Sequence, residues 1–175
     1  MGTTFLGVGA MSLADPLPLD RVHLVNPGQQ LEAGGRTLTA LRPPTLDNPC
    51  TTGFHDSWSG ALFSADSFGA LLAEVPQSAG DLTEVELQEG QTLWATLASP
   101  WLHSVDADAF AGQLDRIRRL DPSMILSSHL PAAPAGLTGR LLATLAAVPT
   151  APVFAGPDQA ALELLLAGMT TGAPG

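Results

Sequence analysis

The sequence has no lysine, and its 175 residues include only seven arginines, four histidines and one cysteine. With 17 acidic residues the net charge is −10. This argues against nucleic acid or an anionic membrane as a partner, because both bind basic surfaces. The single cysteine, Cys50, excludes an internal disulfide and is typical of a reducing compartment, so we expect a cytoplasmic location. No apolar run approaches the roughly 18 residues of a membrane span.

Apolar residues make up 45% of the chain, which is enough to build a core. Neither an internal repeat nor a linker divides the sequence. We therefore expect one domain over residues 1–169 and a flexible tail over 170–175.

Turn signals and hydrophobic periodicity predict strands first and helices later. The predicted strands are 22–25, 30–32, 36–41, 61–64 and 124–127. The predicted helices are 81–100, 106–120, 139–147 and 157–168. Residues 45–60 are predicted to be a long polar loop, and Pro131 and Pro134 predict another rigid loop. This order favours a layered α/β domain with a mixed sheet.

A carboxylate follows the short apolar strand at residues 61–64. Residues 62–69 read Leu-Phe-Ser-Ala-Asp-Ser-Phe-Gly, which places Asp66 at the end of this strand. A charge at the end of a buried strand is costly unless a cation or hydrogen bonds meet it. Asp66 is therefore a candidate metal ligand, with Ser64 and Ser67 available to orient it. The alternative is that Asp66 caps a helix.

His129 repeats this arrangement after the strand 124–127, and imidazole is a common ligand of zinc and iron. Its alternative role is a structural histidine bonded to the backbone of a loop. Asp47, in the loop after strand 36–41, is a third candidate ligand, and its alternative is an Asx turn at Asp-Asn-Pro. The other three histidines are not predicted to be ligands, and neither a phosphate-binding glycine loop nor a Gly-x-Ser-x-Gly motif occurs.

Four stretches resemble the metallo-β-lactamase superfamily, in particular the branch of flavodiiron and related oxygen-binding di-iron proteins. Residues 62–69 resemble the strand of that branch whose carboxylate bridges two metals. Residues 41–49 resemble its loop with the third histidine, although Asp47 stands at that position here. Ser127-Ser128-His129 resembles the last ligand-bearing loop, and Trp101-Leu102-His103 also resembles this branch. The similarity covers roughly residues 20–135.

The resemblance implies a partial αββα sandwich, with a mixed sheet and helices packed on it. It also implies a divalent metal, zinc or iron, held by Asp66, His129 and Asp47. The superfamily signature His-x-His-x-Asp-His is absent, as is the form with Glu for the second histidine. The expected site is therefore incomplete, and the chain is expected to be N-terminally truncated or a degenerate relative.

Four functions follow as hypotheses. The first is a metal-binding protein of the metallo-hydrolase type, and the second is a di-iron oxygen-binding or redox domain. The third is a non-catalytic fragment or interaction module, and the fourth is an unrelated α/β domain. Half a sandwich would leave an apolar sheet face uncovered, so a second copy or a partner chain is expected to cover it.

Overall fold

The computed structural model describes residues 2–3 and 18–171. A six-stranded sheet dominates it, with strand order β3-β4-β5-β6-β7-β8. Neighbouring strands are antiparallel except β6 and β7, which are parallel. The strands are β3 (Gln30–Ala33), β4 (Arg36–Leu41), β5 (Gly53–Asp56), β6 (Ala61–Ala65), β7 (Met124–Ser127) and β8 (Leu130–Pro134). Two short parallel strands, β1 (Gly2–Thr3) and β2 (His23–Leu24), form a separate pair.

In the described part of the chain, four α-helices follow strand β6. They are α1 (Glu84–Ala98), α2 (Ala107–Leu120), α3 (Thr138–Ala147) and α4 (Gln159–Thr171). Asp106 caps α2, since its Oδ1 accepts a hydrogen bond from the Ala109 amide at 2.8 Å. The apolar stripe of this helix is its buried face, as its helical spacing predicts. In α4, every side chain that the structure describes is exposed.

The hydrophobic core lies between one face of the sheet and the first three helices. It combines sheet residues Leu62, Ile125 and Ala133 with helix residues that include Phe110 and Leu141. The opposite face of the sheet is more open. There Phe63 is 44% exposed and Met124 is 39% exposed, and both flank residues that point into the core.

Two predicted loops contain strands. The predicted loop 45–60 includes β5, which pairs with both β4 and β6. The prediction was wrong because four residues bounded by turn signals show too little alternation, so the partner strands decide their structure. The predicted proline loop includes β8, which pairs with β7 and with no other strand of residues 2–3 and 18–171. Proline is tolerated there because β8 is an edge strand, whose outer side needs no ladder hydrogen bonds.

The helix predictions hold, with shifted ends. The first helix begins at Glu84, and Pro100 opens a short 3₁₀ helix after it. The apolar residues Leu93, Leu97 and Trp101, which lie four apart in the sequence, are exposed rather than buried. The last helix continues to Thr171, within the predicted tail, and residues 172–175 lie outside the described part. Among the residues described, no helix is long and apolar enough to cross a membrane.

Candidate metal site at two strand ends

Asp66 and His129 lie side by side at one edge of the sheet. They follow β6 and β7, and because these two strands are parallel neighbours, their carboxyl ends meet at the same edge. Nε2 of His129 lies 3.2 Å from Oδ1 of Asp66, and the side chains are 39% and 23% exposed. The pair can therefore reach both solvent and a shared small ion.

The turn that carries Asp66 is strained. Ala65 has φ 50° and Phe68 has φ 65°, the left-handed region that residues other than glycine rarely occupy. Such a conformation costs of order 1–3 kcal/mol per residue and persists only where surrounding contacts enforce it. Within the turn, the Ser64 hydroxyl donates to the Ser67 carbonyl at 2.9 Å.

Ser67 joins this turn to the loop that contains Asp47. Its hydroxyl donates to the Thr45 carbonyl at 2.6 Å and accepts from the Thr45 amide at 2.9 Å. Both residues are buried. This hydroxyl therefore satisfies backbone groups of the loop that would otherwise be buried without a partner.

Backbone hydrogen bonds hold His129 against the Asp66 turn. The Ser128 amide donates to the Ala65 carbonyl at 2.8 Å, and the Ala70 amide donates to the His129 carbonyl at 3.0 Å. In addition, the Ser127 hydroxyl donates to the Ala65 carbonyl at 3.1 Å. The segments before and after Asp66 are thus both tied to the His129 turn, which fixes the spacing of the two candidate ligands.

Trp94, on α1, completes the site from the side of the helices. Its ring lies 4.1 Å from the His129 ring between centroids, at an interplanar angle of 33°. Its Nε1–H donates to the Asp66 carbonyl at 2.9 Å. The sequence alone does not predict this role, because Trp94 lies on a helix far along the chain from Asp66.

Thr51 also contacts the site, a role that the sequence does not predict. Its hydroxyl donates to Oδ2 of Asp66 at 3.3 Å, so the carboxylate uses one oxygen toward Thr51 and the other toward His129. Its position in a polar loop carries no sequence signal for this contact.

Asp47 is not gathered with the other two candidate ligands. It is exposed, and within residues 2–3 and 18–171 no three His, Cys, Asp or Glu side chains form a group that could hold a metal ion. Its loop is held through the backbone of Leu46, whose carbonyl accepts from Trp101 Nε1 at 2.9 Å and from the Ser99 hydroxyl at 3.1 Å. Metal ligation by Asp47 therefore stays a prediction. For Asp47 to become a ligand, its loop would have to move toward Asp66 and His129.

The donor set suits one divalent ion better than two. One carboxylate and one imidazole can bind zinc or iron, with water completing the coordination. The Thr51 hydroxyl is hydrogen-bonded to the carboxylate and can orient it. A pair of ions would need further carboxylate or imidazole ligands, and the described residues bring no third such group to this place.

Solved structures share this fold. The flavodiiron protein from Giardia intestinalis matches with a TM-score of 0.66 and 18% identity over 85% of this chain and 35% of that chain. Rubredoxin oxygen:oxidoreductase from Desulfovibrio gigas matches with a TM-score of 0.65 and 19% identity, over 83% of this chain and 36% of that chain. The apo chemotaxis sensor ODP from T. denticola matches with a TM-score of 0.61 and 18% identity, over 83% of this chain and 57% of that chain. No family model and no curated protein matches the sequence.

These comparisons define the class of fold. The chain is an α/β domain with a mixed sheet and packed helices, the fold of the flavodiiron structures, so the predicted fold class is confirmed and the resemblance to these proteins holds for the fold. The chain spans about a third of the length of the flavodiiron structures and 57% of the sensor. At 18–19% identity the likeness concerns the fold alone.

Proposed function

We propose that this chain binds one divalent metal ion, zinc or iron, between Asp66 and His129, as a metal-binding protein of the metallo-hydrolase type. The observation that carries the proposal is the 3.2 Å distance between Asp66 Oδ1 and His129 Nε2 at the ends of two parallel strands. The fold of flavodiiron proteins and of the di-iron sensor supports it. Asp47 is proposed as a third ligand supplied by its exposed loop.

Each residue of the site then has a distinct task. Asp66 supplies negative charge, and the Thr51 hydroxyl keeps its carboxylate in one orientation. His129 supplies a neutral nitrogen, and the Trp94 ring restricts rotation of the imidazole. When bound, a divalent ion with open positions lowers the pKa of a bound water and polarises a substrate carbonyl or phosphoryl oxygen.

The test is metal content and affinity of the purified protein. We expect near-stoichiometric zinc or iron by mass spectrometry after reconstitution, and a clear loss of binding by calorimetry in Asp66→Ala and His129→Gln. Asp108→Ala is the matched control, because Asp108 is exposed at the start of α2, outside the site. Unchanged uptake in Asp66→Ala, with unfolding curves like those of the wild type, would refute the proposal.

Asp47→Ala tests the third ligand separately. If the loop supplies this carboxylate, the affinity falls by about tenfold or more, as expected for loss of a charged contact. An affinity equal to that of the Asp108→Ala control removes Asp47 from the ligand set. This result would leave the Asp66–His129 proposal intact, since the two substitutions act on different donors.

The alternative function is di-iron oxygen binding or redox chemistry. Two structural neighbours favour it, since one is a flavodiiron protein and the other is the chemotaxis sensor ODP with a peroxy diiron species. The two-ligand donor set favours the single ion instead. Metal counting separates them, since two irons per chain and an optical spectrum that differs between aerobic and anaerobic protein would support the alternative.

Three sequence predictions remain predictions. They are a cytoplasmic location, an extent of one domain over residues 1–169, and a second copy or partner chain over the exposed sheet face. The exposed Phe63 and Met124 supply the surface that the last prediction requires. If neither metal is taken up, a non-catalytic interaction module becomes the better description of this chain.

A further inference from the structure

A second cavity lies away from the candidate metal site, between strands β4 and β5 and helix α2. Its volume is about 370 Å³, within the roughly 300–1,000 Å³ typical of small-molecule sites. Leu41, Ile117 and Leu120 form part of its wall and give it apolar surface. It shares no lining residue with the pocket beside His129.

The polar groups of this cavity are basic or neutral. Arg42 directly follows β4, Arg116 and Gln113 lie on α2, and His55 lies on β5. None of the described residues that line the cavity is acidic, although the chain has 17 acidic and only seven basic residues. Two of the seven arginines, both exposed to solvent, thus line one small volume in an otherwise acidic protein, which favours an anion there.

Neither arginine has a carboxylate partner among the residues described. The ion pairs there engage other arginines, such as Arg36 with Asp56 and Arg140 with Glu84. An arginine fork without a partner is suited to bidentate recognition of a carboxylate or a phosphate. Arg42 and Arg116 are therefore free to bind an anion from solution.

His55 also lies in the wall of this cavity. Its Nε2 is buried and has no hydrogen-bond partner among the described residues. Because solvent does not reach this atom, His55 shapes the wall, and recognition of an anion falls to the two arginines.

We propose that this cavity binds a small organic oxyanion, with Arg42 and Arg116 holding its carboxylate or phosphate head and its apolar body lying against Leu41, Ile117 and Leu120. The site is separate from the metal ion proposed above and does not depend on it.

Three matched probes test this proposal by calorimetry on the full chain. They are naphthalene-2-carboxylate, 2-naphthyl phosphate and the neutral 2-naphthylmethanol. We expect at least one anion to bind about tenfold or more tightly than the alcohol, as expected for charge-assisted hydrogen bonds. The anion that binds more tightly identifies the preferred head group as a carboxylate or a phosphate. Equal binding of all three probes, or no binding of either anion at millimolar concentration, overturns the proposal.

Variants then locate the site. Arg42→Gln and Arg116→Gln are each expected to weaken binding of the preferred anion by about tenfold, with little change for the alcohol. Arg119→Gln is the control, because Arg119 is exposed on the same helix but does not line the cavity. Equal weakening in all three variants would indicate non-specific charge attraction and overturn the proposal. Asp66→Ala is expected to bind the anion normally, which separates this test from that of the metal site.

Discussion

Gly69 lies so close to Trp94 that a Cβ atom at position 69 would stand 2.5 Å from the indole Nε1 and 2.8 Å from Cβ of His129. Real Cβ atoms essentially never approach so closely. The absence of a side chain at this position is therefore what allows the helix to deliver Trp94 between the two turns that carry Asp66 and His129.

Gly69→Ala should disturb both folding and the site. We expect a loss of about 1–3 kcal/mol in the free energy of unfolding, the usual cost of overpacking, measured in urea. We also expect weaker metal binding, because the indole must move away from the Asp66 carbonyl. Gly112→Ala is the control, since nothing lies within 4 Å of a Cβ there, and this helix position should gain about 0.5–1 kcal/mol. A Gly69→Ala protein as stable as the wild type contradicts the packing described.

Asp56 should make stability depend on pH in strong acid. The Ser59 hydroxyl, with smaller contributions from the Trp58 amide and Arg36, lowers the pKa of Asp56 from 3.8 to about 2. Because the folded pKa is the lower one, ionised Asp56 stabilises the folded state above about pH 4, and this contribution is lost as the pH falls through about 2.

Urea unfolding at several pH values between 5 and 2 measures this effect. The Asp56→Asn variant should lose less stability on acidification than the wild type, because no carboxylate is left at position 56 to take up a proton. Asp108→Asn, on an exposed helical turn, should follow the wild type. Parallel curves for wild type and Asp56→Asn would show that the folded protein does not lower this pKa.

The start of α1 depends on a reciprocal pair of hydrogen bonds. Thr83 Oγ1 accepts from the Glu86 amide at 3.3 Å, and Glu86 Oε2 accepts from the Thr83 amide at 2.9 Å. Thr83→Ala should cost about 1 kcal/mol of unfolding free energy, and Thr83→Ser much less. The same change should raise the pKa of Glu86, which the Thr83 side chain lowers. Thermal unfolding and an NMR titration measure the two effects, and identical Ala and Ser variants would contradict the capping role.

A second copy over the open sheet face can be tested by light scattering. If this face forms a dimer, the wild type should have twice the monomer mass, and Phe63→Ser should shift it toward the monomer. Val75→Ser is the control, since Val75 is exposed in a loop apart from the sheet. A wild-type protein that stays monomeric at high concentration would contradict the predicted dimer.

The sequence predicts the Asp66–His129 pair because both residues follow short apolar strands, and strand ends are recognisable without knowledge of the remaining chain. Their contact depends on β6 and β7 being parallel neighbours, which the long helical stretch between them favours. Trp94 and Thr51 could not be predicted, because their positions depend on how a helix and a loop pack against the strand ends. β5 was missed for a similar reason, since its pairing with two neighbours outweighs a weak local pattern.

The rim of the sheet at β8 resists extension by a further strand. Pro131 and Pro134 bring no amide hydrogen to this strand, and the Ala132 carbonyl already accepts a hydrogen bond from the Ser78 hydroxyl at 3.3 Å. A foreign chain arriving at this edge therefore finds few groups with which to continue the ladder. Self-association through β8 is thereby disfavoured, and an amyloid-like stack would have to begin elsewhere.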